Sequence, residues 1–315
     1  MSTLRRSSSA YGGFADGILI RGVPLLTLYP GNIYWVDSAG GGGSKGTFNH
    51  PCLTWSAAHD LVTTNNGDII VMKPGHAENP TATIAFTKSG FANIGLGFGD
   101  NRPTFTNGIL AATDDVFNFA GDNIVVYNIK WKEATTPAGS DVTIFNVSGD
   151  HFDIENCYIE LGGKSVRFLT HDTTTKKGLT VLNNTIVGTA AGPDAGIRVE
   201  KGHKFARIGG NRWLVAGSAG VDTGIIIFVS GTTNCGEHLV DGDVWLGAAD
   251  NDVYLLQTDV QVNSLMMNVR GCVADASVGF CASPASGFGW IENRLTEPGK
   301  SSGYMVRPIA TTAAL

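Results

Sequence analysis

The chain has 315 residues, of which 43% are hydrophobic and 16% are charged, and its formal net charge is −6. Disordered chains combine low hydrophobicity with high net charge, so this composition excludes disorder and predicts a folded protein. The negative charge argues against nucleic acid as a partner, because nucleic-acid binding needs a basic surface. The 42 glycines are typical of a chain with many strands and tight turns.

Residues 1–31 are predicted to form an extended arm outside the folded domain. They are rich in glycine, serine and arginine, and they hold one apolar stretch, Ile18–Tyr29, which Arg21, Gly22 and Pro24 interrupt. This stretch is too short and too broken to span a bilayer, and no signal peptide with an apolar core precedes it. We therefore predict no membrane association.

A free arm of this composition is expected to be disordered unless something holds it. We expect it to anchor the chain to a larger assembly, and the candidate anchoring residues are Arg5, Arg6, Tyr11 and Phe14. The alternative is that the arm docks along its own folded domain.

Residues 33–75 differ from the rest of the chain and are predicted to form a cap at the start of the folded domain. Strands are predicted at Ile33–Asp37 and Ile69–Met72, with a glycine-rich loop after the first. A helix is predicted near residues 52–64, with Pro51 close to its start. Its apolar positions are Leu53, Ala57, Ala58, Leu61 and Val62.

From residue 117 onward the sequence repeats loosely about every 28 residues. Phe117-Asn118-Phe119 returns 28 positions later as Phe145-Asn146-Val147. A second marker is an asparagine just past a short apolar run, at Asn128, Asn156, Asn184 and Asn211. A fixed period of this length indicates a solenoid, in which each unit buries its apolar face against its neighbours.

The repeating unit is predicted to be a coil of short strands. Its apolar runs are rich in Val, Ile and Phe and bounded by turn residues, and no helical periodicity lies between them. This pattern predicts an all-β protein, a right-handed parallel β-helix over residues 32–295, with a cap or tail at residues 296–315. The recurring asparagine is expected at a bend in the left-handed conformation, which asparagine tolerates.

The run Gly67-Asp68-Ile69-Ile70-Val71-Met72-Lys73-Pro74-Gly75 resembles the entry to the β-helix in proteins of the pectate-lyase-like superfamily. The resemblance covers roughly residues 32–295 and implies the fold. It leaves the function open, because the superfamily includes lyases, hydrolases, epimerases and viral surface proteins.

Without an export signal, the resemblance favours a bacteriophage virion protein, made in the host cytoplasm and released by lysis. The first hypothesis is a non-enzymatic capsid decoration, knob or cement-type protein, attached to the major capsid protein or another virion protein through the arm. The resemblance also implies a homotrimer. The alternatives are a tailspike-like polysaccharide depolymerase or lyase that acts on a host surface glycan, and an intracellular carbohydrate-binding module.

The candidate catalytic residues are Arg167, His171, Arg198 and His203. A lyase needs a base and a cation that stabilises the enolate, so the arginines would hold the substrate and a histidine would be the base. Strand alternation predicts both arginines and both histidines on the outside, which is also what a plain solvent-facing surface would give. Asp114-Asp115 and Asp150-His151-Asp153 are further acidic clusters.

The motifs that the superfamily's lyases and hydrolases carry are absent from this sequence, which favours the non-enzymatic hypothesis. No cofactor and no metal site are predicted, and the five cysteines (Cys52, Cys157, Cys235, Cys272 and Cys281) lack paired spacing and are expected as buried thiols. Trp131, Trp213 and Trp245 are expected to pack inside the coils, with a sugar-binding platform as the alternative.

Overall fold

The computed structural model describes part of the chain, and everything below concerns that part. The described residues are 19–20, 23–24, 31–40, 44–106, 115–132, 142–161, 166–172, 176–189, 196–200, 203–216, 224–228, 236–245, 254–258, 266–270, 273–274, 281–282, 288–291, 293–295 and 304–305.

Three β-sheets run the length of the described chain, and each successive strand of a sheet pairs with the one before it. Sheet 1 contains Ile33–Val36, Asp68–Met72, Phe91–Gly95, Ile124–Tyr127, Phe152–Glu155, Leu179–Leu182, Arg207–Gly209, Gly236–Asp241, Met266–Arg270 and Phe288–Ile291. Sheet 2 contains Ala77–Glu78, Thr104–Thr106, Lys130–Lys132, Tyr158–Leu161, Thr185–Thr189, Arg212–Ala216, Val244–Trp245, Val273–Ala274, Asn293–Leu295 and Tyr304–Met305. Sheet 3 contains Ile84–Phe86, Phe117–Phe119, Val142–Val147, Val166–His171, Ile197–Val199, Gly224–Phe228, Tyr254–Thr258 and Cys281–Ala282.

From Ile84 onward, one coil passes through sheet 3, then sheet 1, then sheet 2, and the next coil stacks on it in parallel register. Phe117-Asn118-Phe119 pairs residue by residue with Phe145-Asn146-Val147, as the sequence repeat predicts. The parallel β-helix prediction is therefore confirmed.

Both ends of the described chain depart from this parallel pattern. Leu19–Ile20 pairs antiparallel with Val23–Pro24, and Tyr304–Met305 turns back to pair antiparallel with Asn293–Leu295. The candidate anchoring residues Arg5, Arg6, Tyr11 and Phe14 lie outside the described residues.

The capping helix spans Trp55–Leu61, so it is shorter than the predicted 52–64. It begins at Thr54, whose hydroxyl accepts a hydrogen bond from the backbone N–H of Ala57 at 3.2 Å and so satisfies one of the free donors of the first turn. A 3₁₀ helix spans Gly99–Asn101. None of the helices in the described part of the chain has the length and apolar character that a membrane crossing requires.

The predicted apolar positions Ala58 and Val62 are buried in the core, and Ala57 and Leu61 are partly buried against it. Trp55, which the apolar pattern left out, is fully buried, whereas Leu53 is 41% exposed. The Trp55 ring lies 4.5 Å from that of Phe86 and 5.0 Å from those of Phe105 and Phe117, measured between centroids. Trp55 thus closes the apolar interior at the start of the helix.

Two columns of left-handed residues mark the corners on either side of sheet 1. The first column consists of Gly90, Asn123, His151, Gly178 and Phe205, with φ from 55° to 78°. The second column consists of Asn128, Asn156, Asn183, Gly210 and Gly242, with φ from 54° to 72°. Glycine and asparagine dominate both because they tolerate this conformation, which other L-residues adopt only with strain.

The four asparagines that the sequence repeat places in one column occupy two different columns in the structure. Asn128 and Asn156 are left-handed corner residues as predicted, but Asn184 and Asn211 lie one position further on, and their side chains are fully buried. Asn184 donates from both its backbone N and its Nδ2 to Asn211 Oδ1 at 3.0 Å, and Asn211 donates in the same way to Asp243 Oδ1. We call this buried series the amide ladder. Burial raises the pKa of Asp243, at its acceptor end, to about 7.

The interior is otherwise apolar and largely aromatic. Phe86 and Phe119 stack 4.5 Å apart on successive strands of sheet 3. Trp131 and Trp213 are fully buried, as predicted, and the side chain of Trp245 lies outside the described residues. Cys52 and Cys157 are buried free thiols, as expected, and burial raises the pKa of Cys157 to about 12.

Three histidines are buried along the later coils, at 0 to 2% exposure: His171, His203 and His238. The rings of His171 and His203 lie 4.0 Å apart. Burial, followed by the neighbouring His203, lowers the pKa of His171 to about 3, and the same causes lower that of His238 to about 3. Both side chains are therefore neutral in the folded protein at neutral pH.

We expect acidification below pH 6.5 to destabilise the protein. The two histidines bind protons near pH 6.5 in the unfolded state but only near pH 3 in the folded state. Between these values the unfolded state binds more protons, so the free energy of unfolding decreases as the pH is lowered. Each of the two residues should cost about 2 kcal/mol at pH 5. In urea unfolding, the drop in the free energy of unfolding between pH 7 and pH 5 should be about 2 kcal/mol smaller for His171→Leu than for the parent. Phe168→Leu, in the same strand, should lower stability equally at both pH values.

Phe205 carries backbone strain that a substitution can relieve. It is left-handed at φ 60°, and its side chain is 52% exposed, so its ring contributes little packing. We expect Phe205→Asn to raise the free energy of unfolding by about 1 kcal/mol in urea titration, because asparagine adopts this conformation more readily. In the same column Gly178→Ala should be destabilising, since its Cβ would lie 2.2 Å from His151 Nδ1. A lower stability for Phe205→Asn would contradict the assignment of strain.

Candidate functional site

The outer face of sheet 3 carries a column of polar residues, which we call the polar strip. It consists of Asn118, Asn146, Thr170 and Arg198, which pair in register on four successive strands. Adjacent strands lie about 4.8 Å apart, so the strip places one polar side chain per coil at regular intervals. Its flanking inward positions, such as Phe119 and Val147, belong to the core.

Asp115 lies beside the strip where the chain enters sheet 3. Its carboxylate accepts hydrogen bonds from Asn146 Nδ2 at 2.5 Å and from the backbone N–H of Thr143 at 3.2 Å. Burial raises the pKa of Asp115, these hydrogen bonds oppose the rise, and the negative charge of Asp172 adds to it. Asp172 is exposed and follows the sheet 3 strand Val166–His171.

A hydrogen-bonded series continues across the next strands. The hydroxyls of Thr143 and Thr170 lie 3.2 Å apart, and Arg167 Nη1 donates to Thr170 Oγ1 at 3.1 Å. These contacts connect Asp115 to Arg167 through two threonines. A network of this kind fixes the rotamers of its members and so presents a preorganised polar surface.

Arg198 occupies the far end of the polar strip. Its Nε donates to Glu200 Oε1 at 2.5 Å, and the side chains of this ion pair are 31% and 19% exposed. The pair is partly open to solvent, so the guanidinium remains accessible while its position is fixed by the carboxylate.

Two amide oxygens within the polar strip lack a hydrogen-bond partner in the described part of the chain. They are Asn118 Oδ1 and Asn146 Oδ1, and both atoms are buried. Buried polar atoms are rarely left unsatisfied, so these two oxygens call for donors such as water or a ligand hydroxyl.

The structure separates the two predicted catalytic arginines from the two histidines, whose rings lie 4.0 Å apart. Arg167 and Arg198 both lie on sheet 3, but they are not equivalent positions: Arg198 pairs with Thr170, and Arg167 pairs with Thr143. The prediction that His171 and His203 face outward is wrong, since both lie inside the coil. A histidine there cannot serve as the base for a substrate bound outside.

The reason for the wrong prediction is a switch in the alternation of the strand. Phe168 and Leu169 are consecutive residues, yet both are fully buried. This double inward placement reverses the parity, so Thr170 faces outward and His171 inward. Asn118 and Asn146 were recognised only as repeat markers, although their central position in Phe-Asn-Phe and Phe-Asn-Val already placed them on the outer face.

A second polar cluster lies near the capping helix, beside an open cleft of about 550 Å³ that includes Glu78. The Glu78 carboxylate accepts a hydrogen bond from the backbone N–H of Trp55 at 2.9 Å and lies 3.3 Å from His76 Nε2. His76 Nδ1 accepts from the backbone N–H of Ser38, so the hydroxyl of Ser38 is not the group that meets the imidazole. This cluster fastens the cap to the first coil and makes no nucleophile–base pair.

Comparison with known proteins found limited similarity. No protein-family model matches the chain, and no curated protein matches it in sequence. Two solved structures are similar in fold. A pectin methylesterase from carrot has 12% identity and a TM-score of 0.47 over 82% of each chain. A rhamnogalacturonan lyase has 12% identity and a TM-score of 0.42 over 84% of this chain and 87% of its own. Similarity at this level carries no argument about activity.

Proposed function

We propose that the protein is a surface protein that binds a polysaccharide along the outer face of sheet 3. The observation that carries this proposal is the polar strip, with a side chain on each of four successive coils and two buried amide oxygens that have no donor among the described residues. Sugar hydroxyls are donors of the kind that these oxygens need. A chain molecule lying along the coil axis would meet the half-buried side chains of Asn118, Asn146 and Arg198, and Thr170, which is 4% exposed, would lie beneath it.

The composition of the strip favours hydroxyl recognition over recognition of charge. Asn118, Asn146 and Thr170 are neutral, and the one cation of the strip, Arg198, already has Glu200 as its partner. We therefore infer a ligand held mainly by neutral hydrogen bonds, with affinity that depends weakly on salt.

The virion location and the attachment through residues 1–31 stay predictions of the sequence. They are compatible with this function, because a glycan-binding face on a particle surface would meet the host envelope. The homotrimer likewise stays a prediction.

We expect Asn118→Ala to weaken polysaccharide binding about tenfold, which corresponds to about 1.4 kcal/mol. The substitution removes one amide from the strip without touching the Asp115 carboxylate. Binding should be measured by calorimetry against a panel of purified bacterial surface polysaccharides, with polygalacturonate as an acidic member.

Thr185→Ala is the matched control, since Thr185 is a half-buried residue of sheet 2 away from the strip. It should bind as the parent does. Equal affinity of Asn118→Ala and the parent for a polysaccharide that the parent binds would overturn the proposed site.

A second function, hydrolysis of the bound glycan, is favoured by one observation. Asp115 is a carboxylate whose pKa is raised by burial, and Asp172 is an exposed carboxylate close enough to raise it further. Glycoside hydrolysis uses two such carboxylates, one protonated as the general acid and one ionised as base or nucleophile. Asp115 is the more buried of the two carboxylates and is the candidate general acid, and Asp172 is the exposed carboxylate beside it.

If the protein is a hydrolase, Asp115→Asn should lower the rate of reducing-end release at least a hundredfold while leaving glycan affinity within a factor of about three. Asparagine keeps the shape and the acceptor of the side chain but cannot donate the catalytic proton. Asp100→Asn, at an exposed site outside sheet 3, is the control. An unchanged rate for Asp115→Asn would place any catalysis elsewhere.

A further inference from the structure

The outer face of sheet 1 is apolar on its first four strands, and we call this region the apolar face. Its buried residues form a cluster that is separate from the interior core. They are Trp35, Ile69, Val71, Ala92 and Ile94, with Ile33, Leu96, Val125 and Tyr127 packed against them and partly buried. Strand alternation places them outward, because Val36, Ile70, Met72 and Val126 on the same strands belong to the interior.

The apolar face is covered, although it lies outside the coil. Val71 is 0% exposed, Ile69 is 1% exposed and Trp35 is 6% exposed. Outward side chains reach such values only when atoms lie above the sheet. These values are those of a single chain, so the covering atoms belong to the same polypeptide.

Described contacts account for only one edge of this cover. The Phe48 ring meets Trp35 edge-on at 4.9 Å. The other hydrophobic residues packed against the cluster come from sheet 1 itself or directly follow one of its strands, as Leu96 does. These described hydrophobic contacts leave most of the apolar face without an assigned cover.

The paired strands Leu19–Ile20 and Val23–Pro24 have the character that such a cover requires. They are apolar in sequence, and only Arg21 and Gly22 separate them. An isolated two-stranded hairpin is marginally stable at best and needs an apolar surface to pack on. This pair also lies only ten residues or so before Ile33, where the chain enters sheet 1 beside the apolar face.

We propose that residues 18–30 of this chain dock on the apolar face and cover the first four strands of sheet 1. The apolar sequence around the hairpin continues through Leu25, Leu26 and Leu28. The docked segment would cover the side of the β-helix, as the capping helix covers its end.

The apolar face ends after the fourth strand of sheet 1, which limits the size of the segment that can cover it. On the next strand of sheet 1, Asp153 pairs with Val125 and Glu155 pairs with Tyr127. Four strands span about 14 Å between the outer two. A short hairpin with its flanking residues covers that distance, and the charged pair marks where the cover stops.

Photo-crosslinking in the full-length protein tests this proposal. Benzoylphenylalanine placed at Tyr127, at the margin of the apolar face, should crosslink to residues 18–30 of the same chain, as mapped by mass spectrometry. The same group at Glu155, the matched position on the next strand, should give at least tenfold less of that product. Crosslinks from position 127 to residues 37–52 or 96–103, or a product of twice the chain mass, would overturn the proposal in favour of another loop or a second copy.

A variant that leaves the β-helix intact supplies the second arm of the test. Leu19→Asp combined with Ile20→Asp should reduce the crosslink at position 127 at least tenfold and raise binding of the dye anilinonaphthalene sulfonate, which reports exposed apolar surface. Ser8→Asp combined with Ser9→Asp adds the same charge upstream and should change neither. Unchanged crosslinking in the first variant would refute docking by this hairpin.

Discussion

In-register stacking of the coils is the constraint on which the rest of the structure depends. Each strand pairs in parallel with the equivalent strand of the next coil, so a given position lies beside its own repeat about 4.8 Å away. Every side chain must then tolerate a similar one as neighbour. Phenylalanines stack inside, amides hydrogen-bond along the ladder, and left-handed corners recur because each corner must match the one below. The same constraint arranges Asn118, Asn146, Thr170 and Arg198 into a continuous surface.

A stacked coil leaves apolar surface open wherever its regular neighbours end, and this protein covers it in two ways. The capping helix places Trp55 over the interior, held by hydrogen bonds to Asn93 Oδ1 and Glu78 Oε2. The outside of sheet 1 is apolar on its first four strands, where the chain itself buries Val71 and Ile69. Both apolar surfaces lie at the N-terminal end of the β-helix, and the later coils continue from there.

The sequence was sufficient for the architecture, because period and strand composition act over many residues and average out local exceptions. It was insufficient where one residue decides. Consecutive burial of Phe168 and Leu169 reverses the alternation and turns His171 inward, as the consecutive burial of Ile144 and Phe145 does in the preceding coil. The adjacent Asn183 and Asn184 belong to different columns, which a single asparagine marker cannot separate. Trp55 lies three and seven residues before the buried Ala58 and Val62, so helical spacing places it on the same face.

The amide ladder has a consequence for the length of the molecule. Asn184 and Asn211 are 27 residues apart and make the same contacts in successive coils, each donating to the oxygen of the next member. A duplicated unit of 27 residues inserted between them would receive a donor on one side and offer one on the other. The next rung, from Asn211 to Asp243, spans 32 residues, so the loops between strands absorb differences in coil length while the ladder stays intact. The solenoid can therefore grow here by whole coils of unequal length, provided that each new coil supplies a side-chain oxygen at the ladder position, because an unpaired amide in the interior costs about 1–3 kcal/mol.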